Sequence, residues 1–419
     1  MARIKGKILR GDAGIWTFYI ALIFISAVEV LSAMGKLIGQ GSYWPLFIRH
    51  YAWLAIGFAA CWIFHTIDYR KITRYLKLLL IVSIVLVILP YFVALINHQS
   101  ISVARWIRIP MGFLTFQFQP SEITKYITIF YIACGMASNQ DKIKSKEVFW
   151  SLMLPLLLVC GLIFISNFST TILIFVTCFI LMWLGGVNGK YLTLTAVVLV
   201  AGLALLLLIA YVNSDVAGFG RLGTVISRLS GRMDNDFTEI NQINQALIAV
   251  STGGLAGSGI GQSVQSRFLE EGHNDFIFSI ILEEGGLWLG GFVILFYIVL
   301  IYRMFMVARR TQGYFGLFAC LGFAIVMALQ TLINMGVAVG LLPVTGQTLP
   351  FISYGGTSFL FASICLGIVL NISRTADTSE VIYSGEEKLQ AAQEQTSDDS
   401  KQASDEEQST DEDDLSKDK

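Results

Sequence analysis

The stretch GHNDFIFSIILEEGGLWLGGFVILFYIVLIY, residues 272–302, decides the class of fold. After Asp275 it is almost entirely apolar, and it is longer than the roughly 20 residues that a helix needs to cross a bilayer. Working outward from it, we find nine further apolar runs that approach or exceed that length. The ten predicted spans cover residues 15–37, 46–67, 76–96, 121–138, 148–166, 169–187, 191–213, 275–302, 314–341 and 351–371. The sequence therefore predicts an all-α integral membrane protein with ten transmembrane helices.

Composition supports this class. The chain has 419 residues, of which 55% are hydrophobic and only 14% are charged, a balance that soluble proteins do not show. All six cysteines fall inside predicted spans, so a disulfide framework is not expected. The first apolar run is too long for the core of a cleavable signal peptide, and we expect it to remain as a span.

The distribution of Lys and Arg predicts the orientation. The N-terminus and alternate loops carry 16 of these residues, and the opposite short loops carry 4. Cytoplasmic loops are the ones enriched in Lys and Arg, so both termini are predicted to be cytoplasmic. Residues 1–14 are then a cytoplasmic N-terminus, residues 15–374 the membrane domain, and residues 214–274 a large extracytoplasmic loop between helices 7 and 8.

Residues 375–419 differ in composition from the rest. From residue 376 onward the chain holds 15 of the 30 acidic residues and 4 of the 29 basic ones. Such a segment cannot bury enough apolar surface to fold, so we expect a disordered acidic cytoplasmic tail. It could serve only to solvate the chain or could bind a partner.

Two residues at the start of the fourth predicted span carry charge into the membrane. Glu122 and Lys125 are three apart and share one face of a helix, which predicts an internal ion pair. Ionisable groups at membrane depth are functional candidates. The pair could instead brace the bundle, and its spacing does not separate these alternatives.

Asp275 stands where the eighth predicted span begins, at the outer surface. A carboxylate in this position is suited to act as a general base. It could equally be a helix cap, since Asn or Asp before an apolar run marks a helix start. Glu283 and Glu284 lie about 12–13 Å further along a helix axis, too far to pair with it. His273 has no second His or Cys at metal-ligand spacing, so a zinc site is not expected.

The external segments are rich in arginine and glycine. Arginine holds phosphate through paired hydrogen bonds, so a phosphate-bearing ligand and anionic lipid headgroups are both consistent with this group. Residues 97–120 mix Arg with aromatic residues, as interfacial segments do. Five glycines within 253–261 would let the backbone approach a ligand or turn sharply. The external arginines are Arg105, Arg108, Arg221, Arg228, Arg232 and Arg267.

Three stretches of the chain resemble signature regions of one family. These are ARWIRIPMGFLTFQFQPSEITK at 104–125, GSGIGQSVQSRFLEEGHNDFIFSIILEEGG at 257–286 and LLPVTGQTLPFISYGGTS at 341–358. In this order they are similar to the SEDS family of shape, elongation, division and sporulation proteins. The resemblance covers roughly residues 10–374, and the third stretch is closer to the division branch, FtsW, than to the elongation branch, RodA.

The resemblance implies a peptidoglycan glycosyltransferase that polymerises lipid II at the outer face of the bacterial cytoplasmic membrane, with a role at the division septum. The essential aspartate of the family falls on Asp275, and its other motif positions fall on Arg105, Glu122 and Lys125. Arg221, Arg267 and His273 are further substrate-binding candidates. A divalent cation, Mg²⁺ or Mn²⁺, could help to stabilise the departing pyrophosphate.

The chain departs from the family pattern in places. An acidic motif between the fifth and sixth spans is here SNFSTT, with Asn167 and Ser169 at two of its positions, so no charged role carries over. A lysine in the loop before Asp275 is replaced by Ser266-Arg267, which makes any donor-site role depend on Arg267. Asp275 itself is retained.

Two other functions fit the same features. A flippase that carries lipid II across the bilayer would also need arginines and an internal ion pair, but its critical charges would lie near the midplane. A scaffold that recruits a class B penicillin-binding transpeptidase would need no catalytic residue. The resemblance implies that transpeptidase and other division proteins as partners for the enzyme too.

Overall fold

The computed structural model describes residues 10–34, 44–97, 106–111, 114–212, 237–269 and 272–376. Within these ranges the chain is mostly helical. The helices are α1 (Ala13–Ala33), α2 (Trp44–Thr66), α3 (Tyr69–Ile96), α4 (Pro120–Ser138), α5 (Lys146–Phe164), α6 (Phe168–Leu184), α7 (Gly189–Val212), α8 (Phe237–Gly253), α9 (Ile277–Arg310), α10 (Tyr314–Ala338) and α11 (Gly356–Ala376). Short 3-10 helices cover Gln140–Lys142 and Gln265–Arg267.

The predicted membrane class is confirmed. In the described ranges, seven helices are long and apolar enough to cross a membrane, and α6 and the first part of α7 are shorter apolar helices. The eleven helices include a counterpart for each of the ten predicted spans, and α8 lies in the predicted extracytoplasmic loop. The count of ten crossings stays a prediction. The acidic tail from residue 377 onward lies outside the described residues, as do residues 214–236 of the long loop.

Local sequence explains where several helices begin. Asp12, Asp68, Ser145 and Asn167 are N-cap residues whose side chains accept hydrogen bonds from backbone N–H groups of the first turn. With Asp68 as its cap, α3 begins seven residues before the predicted span. These first residues include several basic side chains and lie outside the apolar run, but their backbone is still helical. Hydropathy therefore predicts the part of a helix that lies in the membrane, and not the residue at which the helix begins.

One external segment adds a feature that the all-α prediction lacks. Within the predicted interfacial segment, two strands pair in antiparallel fashion, β1 (Ile107–Met111) and β2 (Leu114–Phe118). Ile107 pairs with Phe118, and β2 leads directly into Pro120 at the start of α4. The strand pair therefore adjoins the end of α4 that carries Glu122.

Helix α9 is divided near its N-terminal end. Gly286 has φ +65° and ψ −167°, which breaks the helical hydrogen bonding. The loop after α8 replaces the lost bonds, since the carbonyls of Glu283 and Glu284 accept from Ser258 and Gly259 at 2.9 Å each. In the reverse direction, the N–H of Leu287 donates to the Gly254 carbonyl at 3.0 Å. A short helical segment before Gly286 is thereby held apart from the long remainder of α9.

The core lies where α10, α11 and α4 meet. Among the spanning helices α10 and α11 are the most buried, and α2 and α3 are among the least. Helix α10 packs against α4, α6 and α9. One end of this group of central helices contributes to the walls of the candidate site described below.

Candidate active site

A polar cavity of about 380 Å³ opens between the ends of the central helices. Its lining comes from all three stretches that carry the family resemblance, although these lie far apart in the chain. Among the described residues, the lining consists of Arg49, Trp106, Gln117, Gln119, Glu122, Asn167, Asn274, Asp275, Gly346, Thr348, Tyr354, Gly355, Gly356, Thr357 and Ser358. Two predicted site residues, Asp275 and Glu122, thus share one cavity.

Asp275 is half-buried and lies two residues before α9. The N-cap position of this helix belongs to Phe276, whose side chain makes no cap hydrogen bond. The interpretation of Asn274 or Asp275 as the cap residue is therefore wrong for this helix start. A Cβ atom added at Gly346 would lie 3.6 Å from the Asp275 Oδ2, so the loop that contains Gly346 runs directly past the carboxylate.

The backbone that carries Asp275 is held at three consecutive carbonyls. The His273 carbonyl accepts from the Tyr354 N–H at 2.9 Å, and the Asn274 carbonyl accepts from the Ser353 hydroxyl at 2.7 Å. The Asp275 carbonyl accepts from the Asn334 side-chain amide at 2.9 Å. These bonds fix the segment to α10 and to the loop before α11.

The predicted ion pair between Glu122 and Lys125 is confirmed. The Lys125 Nζ lies 3.0 Å from the Glu122 Oε2, and the lysine side chain has no exposed surface. Lys125 also donates to the Gln330 Oε1 at 3.0 Å, and Gln330 in turn donates to the Thr348 carbonyl at 2.9 Å. Glu122 reaches the cavity, whereas Lys125 lies beneath it and does not line it.

Among the described residues, the arginine that lines the cavity is Arg49, which was not one of the predicted site residues. Its guanidinium lies 5.9 Å from the centre of the Tyr354 ring and 3.5 Å from the Gln117 Oε1. Burial raises the pKa of the Tyr354 phenol, and the nearby Arg49 charge opposes that rise. The signal that could have found Arg49 is a charged residue inside a predicted span, here 46–67.

His273 is placed beside the cavity and not in its lining. Its ring centre lies 5.4 Å from that of Tyr354, whose ring is also 5.6 Å from His50. Asn167, noted in the sequence as a departure from the acidic family motif, lines the cavity and caps α6 by accepting from the Thr170 N–H at 3.1 Å.

The remaining predicted site residues do not join this cavity. Arg267 lies exposed in a 3-10 helix and does not line it. Arg105 and Arg221 lie outside the described residues, as do Arg228 and Arg232. In the part of the chain that the structure describes, no group of three or more His, Cys, Asp or Glu residues could hold a metal ion.

Glu283 and Glu284 have a structural role that their spacing did not reveal. Both are buried, and neither lines the cavity. Glu283 accepts from the backbone N–H groups of Val264 and Gln265 at 2.9 and 3.2 Å. Glu284 accepts from the N–H of Gly261 at 3.0 Å and from the Ser32 hydroxyl of α1. The two carboxylates therefore anchor the end of the glycine-rich loop through charge-assisted hydrogen bonds.

The glycine-rich stretch turns sharply, which is one of the two roles predicted for its glycines. Gly254, Gly257, Gly259 and Gly261 all have positive φ. A Cβ atom at Gly257 would lie 2.1 Å from the carbonyl oxygen of Glu284, so the loop backbone rests directly on α9. The glycines permit contact with protein and do not line the cavity.

Comparison with known sequences gives a family. The profile of the FtsW, RodA and SpoVE cell cycle proteins matches residues 12–378. The chain is 31% identical over 374 residues to a probable peptidoglycan glycosyltransferase FtsW of Coxiella burnetii, an alignment covering 86% of this chain and 96% of that protein. It is 34% identical over 376 residues to the protein of the same description from Pseudomonas fluorescens, covering 86% and 88% of the two chains.

Comparison with solved structures gives the same fold. One match, described as the structural coordination of polymerization and crosslinking by a peptidoglycan synthase complex, has a TM-score of 0.64 and 23% identity over 87% of this chain and 98% of that one. The rod shape determining protein RodA of Thermus thermophilus matches with a TM-score of 0.60 and 22% identity, covering 88% and 98% of the two chains.

Proposed function

The chain belongs to the FtsW, RodA and SpoVE family of cell cycle proteins, and from this premise we propose that it is a peptidoglycan glycosyltransferase that polymerises lipid II. It is a multi-pass bacterial membrane protein. The observation that carries the proposal is the Asp275 carboxylate, which lines a polar cavity together with Glu122 and Arg49. The cavity then holds three groups: Asp275 as a base, Glu122 paired with the buried Lys125, and Arg49 as a side chain that can bind phosphate.

Asp275 is the general base in this proposal. It removes the proton from the 4-hydroxyl of the N-acetylglucosamine at the end of one glycan. The resulting oxygen forms a bond to C1 of the muramyl sugar of the other glycan as the bond from C1 to undecaprenyl pyrophosphate breaks. The pyrophosphate leaves with the bonding electrons, and attack from the opposite face inverts the anomeric centre. The three hydrogen bonds to the backbone of residues 273–275 support a fixed position for this base.

Positive charge would stabilise the departing pyrophosphate. Arg49 is the described cation in the cavity lining, and we add it to the proposed binding residues Arg105, Arg221 and Arg267. Lys125 is fully enclosed and already bonded to Glu122 and Gln330, so it acts through the field of its charge and not by contact with substrate. His273 would help to order Tyr354 at the cavity wall.

A divalent cation, Mg²⁺ or Mn²⁺, remains part of the proposal. Magnesium in such sites is commonly held by one or two carboxylates together with substrate phosphates, which suits a cavity lined by Asp275 and Glu122. When bound, the cation would neutralise charge on the pyrophosphate. Glu122 would hold it, with the Asn274 side-chain oxygen as a neutral donor nearby, and Asp275 would keep its role as the base.

Partner and location are proposed from the relatives. One structural match is a peptidoglycan synthase complex in which polymerization and crosslinking are coordinated. We therefore expect this chain to work with a class B penicillin-binding transpeptidase, along with other division proteins. The FtsW description of its relatives supports action at the septum. Both termini would lie in the cytoplasm, and the cavity would open to the outer face.

The position of Asp275 favours polymerisation over transport of lipid II. It lies before the first turn of α9 and not in the middle of that helix. A transporter would need its critical charges near the midplane of the bilayer.

The test is glycan-chain formation from purified lipid II by the purified protein with a transpeptidase-inactive partner. We expect chains from wild type and none from Asp275→Asn or Asp275→Ala. Glu147→Gln is the matched control, since it makes the same change from carboxylate to amide at an exposed residue outside the cavity. Equal chain formation by wild type and the Asp275 variants would refute the assignment of the base. No chain formation by any form would favour transport or a scaffold.

A further inference from the structure

The backbone around Asp275 depends on two polar side chains from elsewhere in the fold. The N-cap residue of α9 is Phe276, whose side chain makes no cap hydrogen bond. Asn334 of α10 donates to the Asp275 carbonyl at 2.9 Å, and Ser353 donates to the Asn274 carbonyl at 2.7 Å. Both side chains are almost completely buried.

Asn334 joins the Asp275 segment to the loop that forms the opposite wall. Its Nδ2 also donates to the Gln347 carbonyl at 2.7 Å. Both neighbours of this nitrogen are carbonyl oxygens, so the amide group can present only its NH₂ to them. Both hydrogens of Asn334 are thereby used, one for each carbonyl.

Ser353 closes the same connection from the other side. Its hydroxyl donates to the Asn274 carbonyl and accepts from the Leu349 N–H at 2.7 Å. Gln330, one turn before Asn334 on α10, holds the Thr348 carbonyl. The loop from Gln347 to Ser353 is therefore bonded to α10 and to the Asp275 segment at several neighbouring points.

We propose that Asn334 and Ser353 are positioning residues for Asp275, which they hold through the carbonyls of Asp275 and Asn274. Neither side chain lines the cavity, so neither contacts substrate. Loss of the Asn334 amide removes this donor from the carbonyls of Asp275 and Gln347 and loosens the backbone of the base. This inference rests on the proposed function of Asp275.

The consequence for catalysis follows from geometry. A misplacement of a reacting group by about 1 Å can lower the rate by about 10²-fold. A positioning residue affects the transition state more than the binding of substrate, so kcat should fall with little change in KM for lipid II. A residue that only stabilises the fold would lower the amount of folded protein and leave kcat per folded molecule unchanged.

The test compares Asn334→Asp with Thr331→Val in the lipid II polymerisation assay with the transpeptidase-inactive partner. Asn334→Asp keeps the shape of the side chain and replaces the double donor with an oxygen that faces two carbonyl oxygens. Thr331 is the matched control because it lies one turn away on α10, is also buried, and has a hydroxyl with no hydrogen-bond partner among the described residues. We expect a loss of kcat of about 10²-fold for Asn334→Asp, an unchanged KM and normal kinetics for Thr331→Val.

Ser353→Ala keeps the inference testable if Asn334→Asp fails to fold. It removes the hydroxyl that holds the Asn274 carbonyl, and we expect a smaller fall in kcat at the same KM. Wild-type kcat in every variant that folds would overturn the proposal while leaving the function of Asp275 intact. A fall that matches the loss of folded protein would also overturn it. If wild type forms no chains, the proposed function fails instead.

Discussion

The buried pair of Glu122 and Lys125 allows a prediction that separates a structural brace from a ligand-binding device. Lys125→Met removes the cation and keeps the length of the side chain, which leaves the Glu122 carboxylate without its partner. The Nζ and Oε2 atoms are 3.0 Å apart, and the side chains are 0% and 9% exposed. Solvent therefore screens this pair far less than a surface pair.

The expected cost can be bounded in two ways. At an effective dielectric constant of about 20, unit charges about 3 Å apart attract each other by roughly 5 kcal/mol. Removing one member of a buried pair typically destabilises a protein by about 3–5 kcal/mol, because a buried charge remains. The Gln330 amide, which Lys125 also contacts, loses a partner as well. We expect each of Lys125→Met and Glu122→Gln to lower the free energy of unfolding by about 3–5 kcal/mol.

The double variant Glu122→Gln, Lys125→Met should recover much of that loss, since no buried charge is left. Stability can be followed in detergent with a thiol-reactive dye, because five of the six cysteines are buried until the protein unfolds. Strictly additive effects of the two single changes would refute the reasoning, since groups that interact directly show a coupling energy. If the stable double variant polymerises lipid II normally, the pair is a brace. If it is folded and inactive, the charges serve the substrate.

Two further predictions concern the region around Gly286. Glu29 of α1 is buried one turn from Ser32, which bonds Glu284, and among the described residues its Oε2 has no hydrogen-bond partner. Glu29→Met should therefore raise the free energy of unfolding by about 1–3 kcal/mol. Glu284→Gln is its control and should destabilise, so a loss of stability in Glu29→Met would contradict this reading. Gly257→Ala should destabilise by at least about 1–2 kcal/mol, because its φ is +78° and the new methyl would meet the Glu284 carbonyl. Gly161→Ala, where a Cβ meets nothing within 4 Å, should be neutral or stabilising, and equal melting temperatures for the two alanine variants would refute the prediction.

Much of the fold could be predicted from the sequence because the bilayer imposes simple rules. An apolar run of sufficient length must form a helix to satisfy its backbone, whatever surrounds it. Each predicted span has a helix in the structure, although the ends differ. Residues 351–355 are the clearest miss, since this apolar stretch forms a turn before α11 and not its first turn. Hydropathy does not predict a turn that is stabilised by residues elsewhere in the chain.

Part of the site could also be predicted from the spacing of residues along the sequence. Glu122 and Lys125 are three apart, and helical geometry alone brings their charged ends together. Asp275 could be placed at the head of α9 because the apolar run begins there. Both inferences needed only neighbours in the chain.

The rest of the site was decided by tertiary structure. Periodicity shows which residues share a face of one helix, but not which other helix that face meets. Asn334 bonds the Asp275 carbonyl, and Arg49 and Tyr354 line the same cavity, although all three are distant from Asp275 in the chain. Their convergence depends on how α2, α10 and the loop before α11 pack around α9.

Glu283 shows the same limit in a different way. By itself the sequence determined that two carboxylates follow Asp275 within an apolar run, and ionisable groups at that depth suggested a polar interior or a partner helix. Only the tertiary structure decided that the backbone N–H groups of a distant glycine-rich loop satisfy Glu283, since Gly286 breaks α9 and opens the space that this loop fills. A buried carboxylate must find donors, but its sequence neighbours do not say which part of the chain supplies them.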